Sequence, residues 1–180
     1  WVYEYEGEVV ANCHKLPANQ FVRRRLTVNE IVAMWQPIID AMPDKHWIFT
    51  VSPLRHIKDG LHENQLSKAV LLQSIEQLSE LSIANCSYFP SYEIMLDELR
   101  DYRFYALDMT HPSDVAIDYI YGVFSESFFN EKTKSVAEQC ERLTRRMAHR
   151  PMSDDIETVK RFENSTIEMK TQMLQQYPFL

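Results

Sequence analysis

Glycine is scarce in this chain, with three in 180 residues. Neither G-x-G-x-x-G nor G-x-x-x-x-G-K can be written with them, so the glycine loops that cradle dinucleotides and nucleotide phosphates are excluded. Cysteine is also sparse and odd in number, at Cys13, Cys86 and Cys140, with no C-x-x-C. A disulfide frame is thereby disfavoured, and reduced thiols in a cytoplasmic protein are expected. No apolar run approaches the length of a membrane span. Positive charge is short as well: 19 Lys and Arg stand against 26 Asp and Glu, a formal net charge of −7. Long-range attraction to nucleic acid or to an anionic membrane is not expected. Arg23-Arg24-Arg25 and Arg145-Arg146 read as solvated faces. The chain begins at Trp1 rather than Met, so a start upstream of this residue is expected.

What remains is ordinary globular material. Hydrophobic residues make up 45% and charged residues 25%, enough for a sizeable core. Val2-Tyr3-Glu4-Tyr5-Glu6-Gly7-Glu8-Val9-Val10 reads as two short strands turning at Glu6-Gly7. Thr27 and Glu30 have the spacing of a capping box. Beyond them Val28, Ile31, Val32, Trp35, Ile38, Ile39 and Met42 form a helical stripe, with a kink expected at Pro37. His46 to Val51 is a compact apolar strand stopped by Ser52-Pro53, and it reads as buried on both faces. A helix from Leu66 to Ser82 should turn Leu71, Leu72, Ile75, Leu78 and Leu81 inward. Cys86 to Phe89 is a further strand, and Ser91 to Leu99 a short helix. Ser113 can cap a helix running to Phe129, with Ala116, Tyr119, Ile120, Val123 and Ser127 on one face. Two more helices, 131–149 and 154–177, read as a hairpin, the second capped by Ser153. The first carries the stripe Val136, Cys140, Leu143 and Met147.

The alternation of strands and helices points to an α/β fold with a mostly parallel sheet. Two core strands are too few for such a sheet, so either the hairpin joins it or strands precede Trp1; the second is the reading adopted. Residues 1–130 form the α/β part and 131–180 a helical extension.

Chemistry in open α/β sheets gathers at the carboxyl ends of the strands. Three polar clusters lie there: Asn12-Cys13-His14-Lys15, Ser52-Pro53-Leu54-Arg55-His56, and Asp108-Met109-Thr110-His111. The last sets a carboxylate three residues before an imidazole, the pair with which a hydrolase holds and charges its general base. A chain of this composition supplies roughly 0.3 Asp-x-x-His matches by chance, and roughly 0.015 once a following proline is required, so Pro112 sharpens the signal. Asn12, His14, Lys15, Ser52, Arg55 and His56 are candidate substrate-binding residues, with Arg55 expected to fork onto a carboxylate, either an Asp or Glu of the protein or an acid group on the substrate. Cys13, His14, His56, His62 and His111 could supply metal ligands, but none has paired zinc spacing, and no metal or cofactor is expected. Ser52 lacks a G-x-S-x-G elbow.

Taken together, Trp1-Val2-Tyr3-Glu4, Asn12 to Pro17, Val51 to His56 with Lys58-Asp59-Gly60, Tyr88 to Glu93, and Asp97 to Tyr105 leading into Asp108-x-x-His111-Pro112-Ser113 resemble the GSCFA family. That family is a branch of SGNH/GDSL-type hydrolases found largely in bacteria. The resemblance spans about residues 1–130 and implies part of a three-layer α/β/α sandwich. It implies Asp108 as the orienting carboxylate and His111 as the general base of a serine esterase. By analogy the substrate is an acylated or acetylated carbohydrate, with no nucleic-acid or membrane partner. The Gly-Ser-Cys-Phe-Ala-like stretch that carries the family's serine is absent from these 180 residues, as is a Phe-Gly-Thr stretch. The competing expectation is a catalytically inactive fragment or an α/β protein-interaction module.

Overall fold

The computed structural model describes residues 2–10, 16–81, 85–150, 152 and 155–178. Contacts divide the chain into two compact units, 1–123 and 124–180.

In the first unit, strand β1 (Val2–Tyr5) turns into β2 (Glu8–Val10). Glu6 and Gly7 both take positive φ, 53° and 86°. That is the pattern of a type I′ turn, whose twist matches an antiparallel pair. The hairpin does not join the parallel strands. It accepts a third strand that the sequence reading left out, β3 (Val22–Arg24), giving the order β2-β1-β3. β3 is three residues long and carries two arginines, so it has no period-2 apolar signal. The arginines are not merely solvated. Arg24 binds Glu4 at 3.1 Å and Glu30 at 2.8 Å. Arg25 binds Glu63 at 3.0 Å, and Arg23 forks onto Asp59.

Helix α1 (Val28–Ala41) starts at a complete capping box between Thr27 and Glu30 and continues through Pro37. The Thr27 amide and hydroxyl, then Arg24, hold the Glu30 carboxyl down at about 2. β4 (Trp47–Thr50) and β5 (Cys86–Phe89) pair in parallel, Trp47 opposite Cys86 and Thr50 opposite Phe89. Helix α2 (Leu61–Leu81) is the crossover between them. Val32, Ile39, Leu78 and Cys86 form the core here, with Trp35, Trp47 and Phe49 packed against it. Trp35 meets Phe49 edge-on, with centroids 5.2 Å apart.

β4 is not buried on both faces as expected. Its burial alternates, and Ile48 is 39% exposed. Trp47 and Phe49 share the face that receives α1, and the opposite side of β4 stays open at Ile48 among the described residues.

α2 also departs from its expected form. It begins at Leu61, straight after Gly60 at φ 83°, where only glycine turns without strain. Ile75 and Leu78 face the core, but Leu71 and Leu81 are exposed. Their places on the buried face are taken by Asn64, Ser67, Lys68 and Ser74.

Past β5 comes one α-helical turn, α3 (Ser91–Glu93), then a π-helical segment, Ile94–Leu99. Ser91 Oγ lies 2.8 Å from the Val51 carbonyl and 2.6 Å from Thr50 Oγ1, tying the ends of the two strands together. α4 (Asp114–Phe128) buries Ala116 completely, with Met95 and Tyr105. Tyr119, expected inward, is exposed and donates its hydroxyl proton to Glu98.

The second unit contains α5 (Glu131–Ala148) and α6 (Ile156–Gln176), which pack against each other as a helical hairpin. Asn130 caps α5 and Asp155 caps α6. Ser153, the expected cap, lies outside the described residues. Arg146 sits 4.7 Å from the Phe162 ring centroid and donates to Ser165 at 2.6 Å. Met147, expected in the packed stripe, is 58% exposed. No described helix is long and apolar enough to cross a membrane.

Candidate active site

The Asp-x-x-His loop is built from the backbone outward. Ala106 N–H donates to the His111 carbonyl at 2.8 Å, and Ser113 N–H to the Phe104 carbonyl at 2.8 Å. These flank an antiparallel bridge between Tyr105 and Pro112. Pro112 has no N–H to leave unpaired at this position. Met109 N–H closes a turn on the Ala106 carbonyl at 2.9 Å, and Met109 takes φ 58°. The base of the loop is anchored by Tyr105, buried with Met95 and Ala116, and by Ser113 Oγ, which accepts from the Ala116 amide at 3.4 Å.

Within this loop Asp108 is fully engaged. Its Oδ1 accepts from the Thr110 amide at 2.9 Å and from the His111 amide at 3.0 Å. Its Oδ2 lies 2.6 Å from His111 Nδ1. The His111 amide, the Thr110 amide and the His111 ring, in that order, hold the Asp108 carboxyl down at about 2. Near neutral pH the carboxylate is therefore ionised and accepts only. The proton between them then sits on Nδ1, and in the neutral ring the lone pair is the one on Nε2. That is the tautomer a general base requires. The His111 and Asp108 side chains are 62% and 50% exposed, so the described residues do not close the site from water.

The loop after β4 docks directly on this one. Arg55 N–H donates to the Thr110 carbonyl at 3.2 Å, and Arg55 Nη1 to the Met109 carbonyl at 3.4 Å. The guanidinium stacks over Tyr105 at 3.8 Å. Two of the three polar clusters thus meet. Of the two carboxylate partners expected for Arg55, one on the protein is not found: among the described residues no acidic side chain pairs with it, and its guanidinium meets the Met109 carbonyl and the rings of Tyr105 and Tyr102 instead. Ser52 Oγ accepts from the Leu54 amide at 3.2 Å, a local turn bond. His56 donates its backbone N–H to Asn64 Oδ1 at 3.0 Å, and burial followed by the Lys68 charge lowers its ring pKa. The third cluster, Asn12, Cys13, His14 and Lys15, lies outside the described residues.

The GSCFA family model matches residues 1–124. The chain belongs to the GSCFA family. No curated protein and no solved structure matches it. The stretch that this GSCFA chain shares with its family includes the whole Asp108–His111 loop, the Arg55 loop and both parallel strands.

The roles of three residues in this region have no counterpart in the sequence reading. Tyr105 and Met109 shape the loop, the one as a buried platform and the other as a left-handed hinge. Neither role has a sequence signal, since tyrosine and methionine are common at unremarkable positions. Lys68 did have one. Asn64, Ser67 and Lys68 share the face of Ile75 and Leu78, and a reading that follows apolar residues alone passes over them. Among the described residues no group of three His, Cys, Asp or Glu is placed to hold a metal ion.

Proposed function

We propose that this chain is a portion of a serine ester hydrolase of the SGNH type, in which Asp108 orients His111 and His111 is the general base. The observation that carries this reading is the 2.6 Å contact between Asp108 Oδ2 and His111 Nδ1, with Asp108 Oδ1 pinned by two backbone amides. A serine hydroxyl at Nε2 loses its proton to His111 as its oxygen attacks an acyl carbonyl, and His111 returns that proton to the leaving alcohol. Backbone N–H groups stabilise the oxyanion.

The serine is supplied by a Gly-Ser block outside these 180 residues, and the β4–β5 pair is the part of a three-layer sandwich that this chain contributes. Analogy with SGNH enzymes makes the substrate an acylated or acetylated carbohydrate. Arg55 supports the reading as a brace for the loop. His56 and Ser52 lie on the same strand end and stand as substrate-side residues, together with Asn12, His14 and Lys15.

The test is hydrolysis of 4-nitrophenyl acetate, read at 405 nm on the order of minutes to hours. The whole protein with its serine block should hydrolyse it saturably, and His111→Ala should abolish turnover. The 180-residue chain alone should show none. An active whole protein that keeps its rate after His111→Ala would defeat the reading. Saturable, His111-dependent hydrolysis by the 180-residue chain alone would instead place the nucleophile inside it.

A further inference from the structure

The Ser52–His56 loop contributes His56 to a cavity of about 270 Å³, lined also by Tyr3, Arg23, Arg25, Ser67 and Lys68 along with four apolar side chains. Its cations are not equivalent. Arg23 pairs with Asp59 and Arg25 with Glu63. Lys68 is 2% exposed, and no carboxylate among the described residues pairs with it. Its ammonium donates to the Ser52 carbonyl at 2.6 Å and lies 5.9 Å from the Tyr92 ring centroid. An ammonium has three N–H donors, and a buried charge without a counter-ion is costly. Burial pushes its pKa down. The Ser67 hydroxyl donates to the Asn64 carbonyl at 3.0 Å and, being uncharged, cannot neutralise Lys68.

We propose that this cavity is an oxyanion-binding site in which Lys68 is the principal cation and a carboxylate or phosphate group is its counter-ion. Lys68 is the buried cation of this wall that pairs with no carboxylate among the described residues, so an anionic group would offset its charge. The volume falls just under the roughly 300–1,000 Å³ of cavities that enclose drug-sized ligands, which fits an anionic group or a small anion. Such a group has two sources: a free anion, or an acidic substituent on an ester substrate. Occupancy would brace the Ser52 carbonyl, three residues before Arg55 and its contacts to the Asp108–His111 loop. Anion binding at the site does not depend on the esterase reading, the substrate source alone rests on it, and binding is measured without turnover.

The experiment is a titration of the 180-residue chain with inorganic phosphate and, separately, monomethyl succinate, at constant ionic strength set with sodium chloride. Amide chemical shifts are followed by NMR. Saturable shifts at His56, Ser67 and Lys68 are expected, with affinity weakened at least about tenfold in Lys68→Met and retained in Lys68→Arg. Tighter binding of monomethyl succinate identifies a substrate group, and tighter binding of phosphate a free anion; both support the site. Shifts that never saturate, that fall elsewhere, or that persist unchanged in a folded Lys68→Met overturn it. Should Lys68→Met fail to fold, the wild-type shift map decides, because anion binding without shifts at these three amides is binding at another site.

Discussion

The Arg55 guanidinium lies 3.8 Å from the centroid of the Tyr105 ring, while the Arg55 backbone N–H holds the Thr110 carbonyl at 3.2 Å. One residue of the loop after β4 therefore grips the Asp108–His111 loop from two directions. A partly buried cation over an aromatic face is worth about 0.5–2 kcal/mol. Arg55→Ala should destabilise the first unit by about that much, and it should speed amide exchange at Ala106 and His111. Arg55→Lys should recover less than half of the loss, since an ammonium cannot stack its plane on the ring. Urea melts together with hydrogen exchange measure both. Unchanged exchange in Arg55→Ala would mean that the loop holds itself.

Asp108 should behave as a fixed anion. Its folded pKa is depressed to about 2, below the ordinary carboxylate value near 4. A depressed acid stabilises the fold above its unfolded pKa, and the stabilisation is lost as pH falls through the folded one. The wild-type chain should therefore lose this contribution between about pH 4 and pH 2, and Asp108→Asn should lack that part of the pH dependence. Chemical denaturation across that range checks it.

Under the proposed esterase reading, Asp108→Asn in the whole protein should lower turnover far more than it lowers stability. An asparagine amide can donate to Nδ1 and favour the wrong tautomer, a change worth a factor on the order of 10⁴ in the best-studied triad. Steady-state rates on an activated ester measure it, with the ring tautomer read from His111 nitrogen shifts. A drop of only a few-fold would show that the carboxylate is dispensable.

Met109 stores strain. A left-handed φ costs an L-residue about 1–2 kcal/mol, and Met109 sits at 58°. Met109→Gly removes that cost while loosening the unfolded chain, so stability should stay level or rise by up to about 1 kcal/mol. Thermal melts test this. A clear loss would mean that the methionine side chain, 43% exposed, contributes packing that outweighs the strain.

Leu78 is 1% exposed at the centre of the α1–α2 core. Leu78→Ala should cost about 2–5 kcal/mol. Ile48→Ala, on the open face of β4, should cost much less. Equal losses at the two sites would mean that the face bearing Ile48 is covered.

Local patterns were legible from residues alone. The turn at Glu6-Gly7, the Thr27–Glu30 box, the start of α4 at Ser113 and the Asp108–His111 contact each involve groups within a few residues of one another. Short-range sterics and hydrogen bonding specify them, whatever the rest of the chain does. The family was legible too, because its motifs are short runs in a set order.

Tertiary structure alone decided the rest. β3 exists because β1 offers it an edge, not because Val22–Arg24 is a strong strand former. Lys68 is buried because α2 presents that face to the end of β4, although helical period alone would as readily allow a lysine at a solvated rim. The Arg55 side chain meets Tyr105 and the Met109 carbonyl because those groups are what folding brought within reach. Long-range partners depend on how elements pack, and a residue's type sets only the range of partners it can accept.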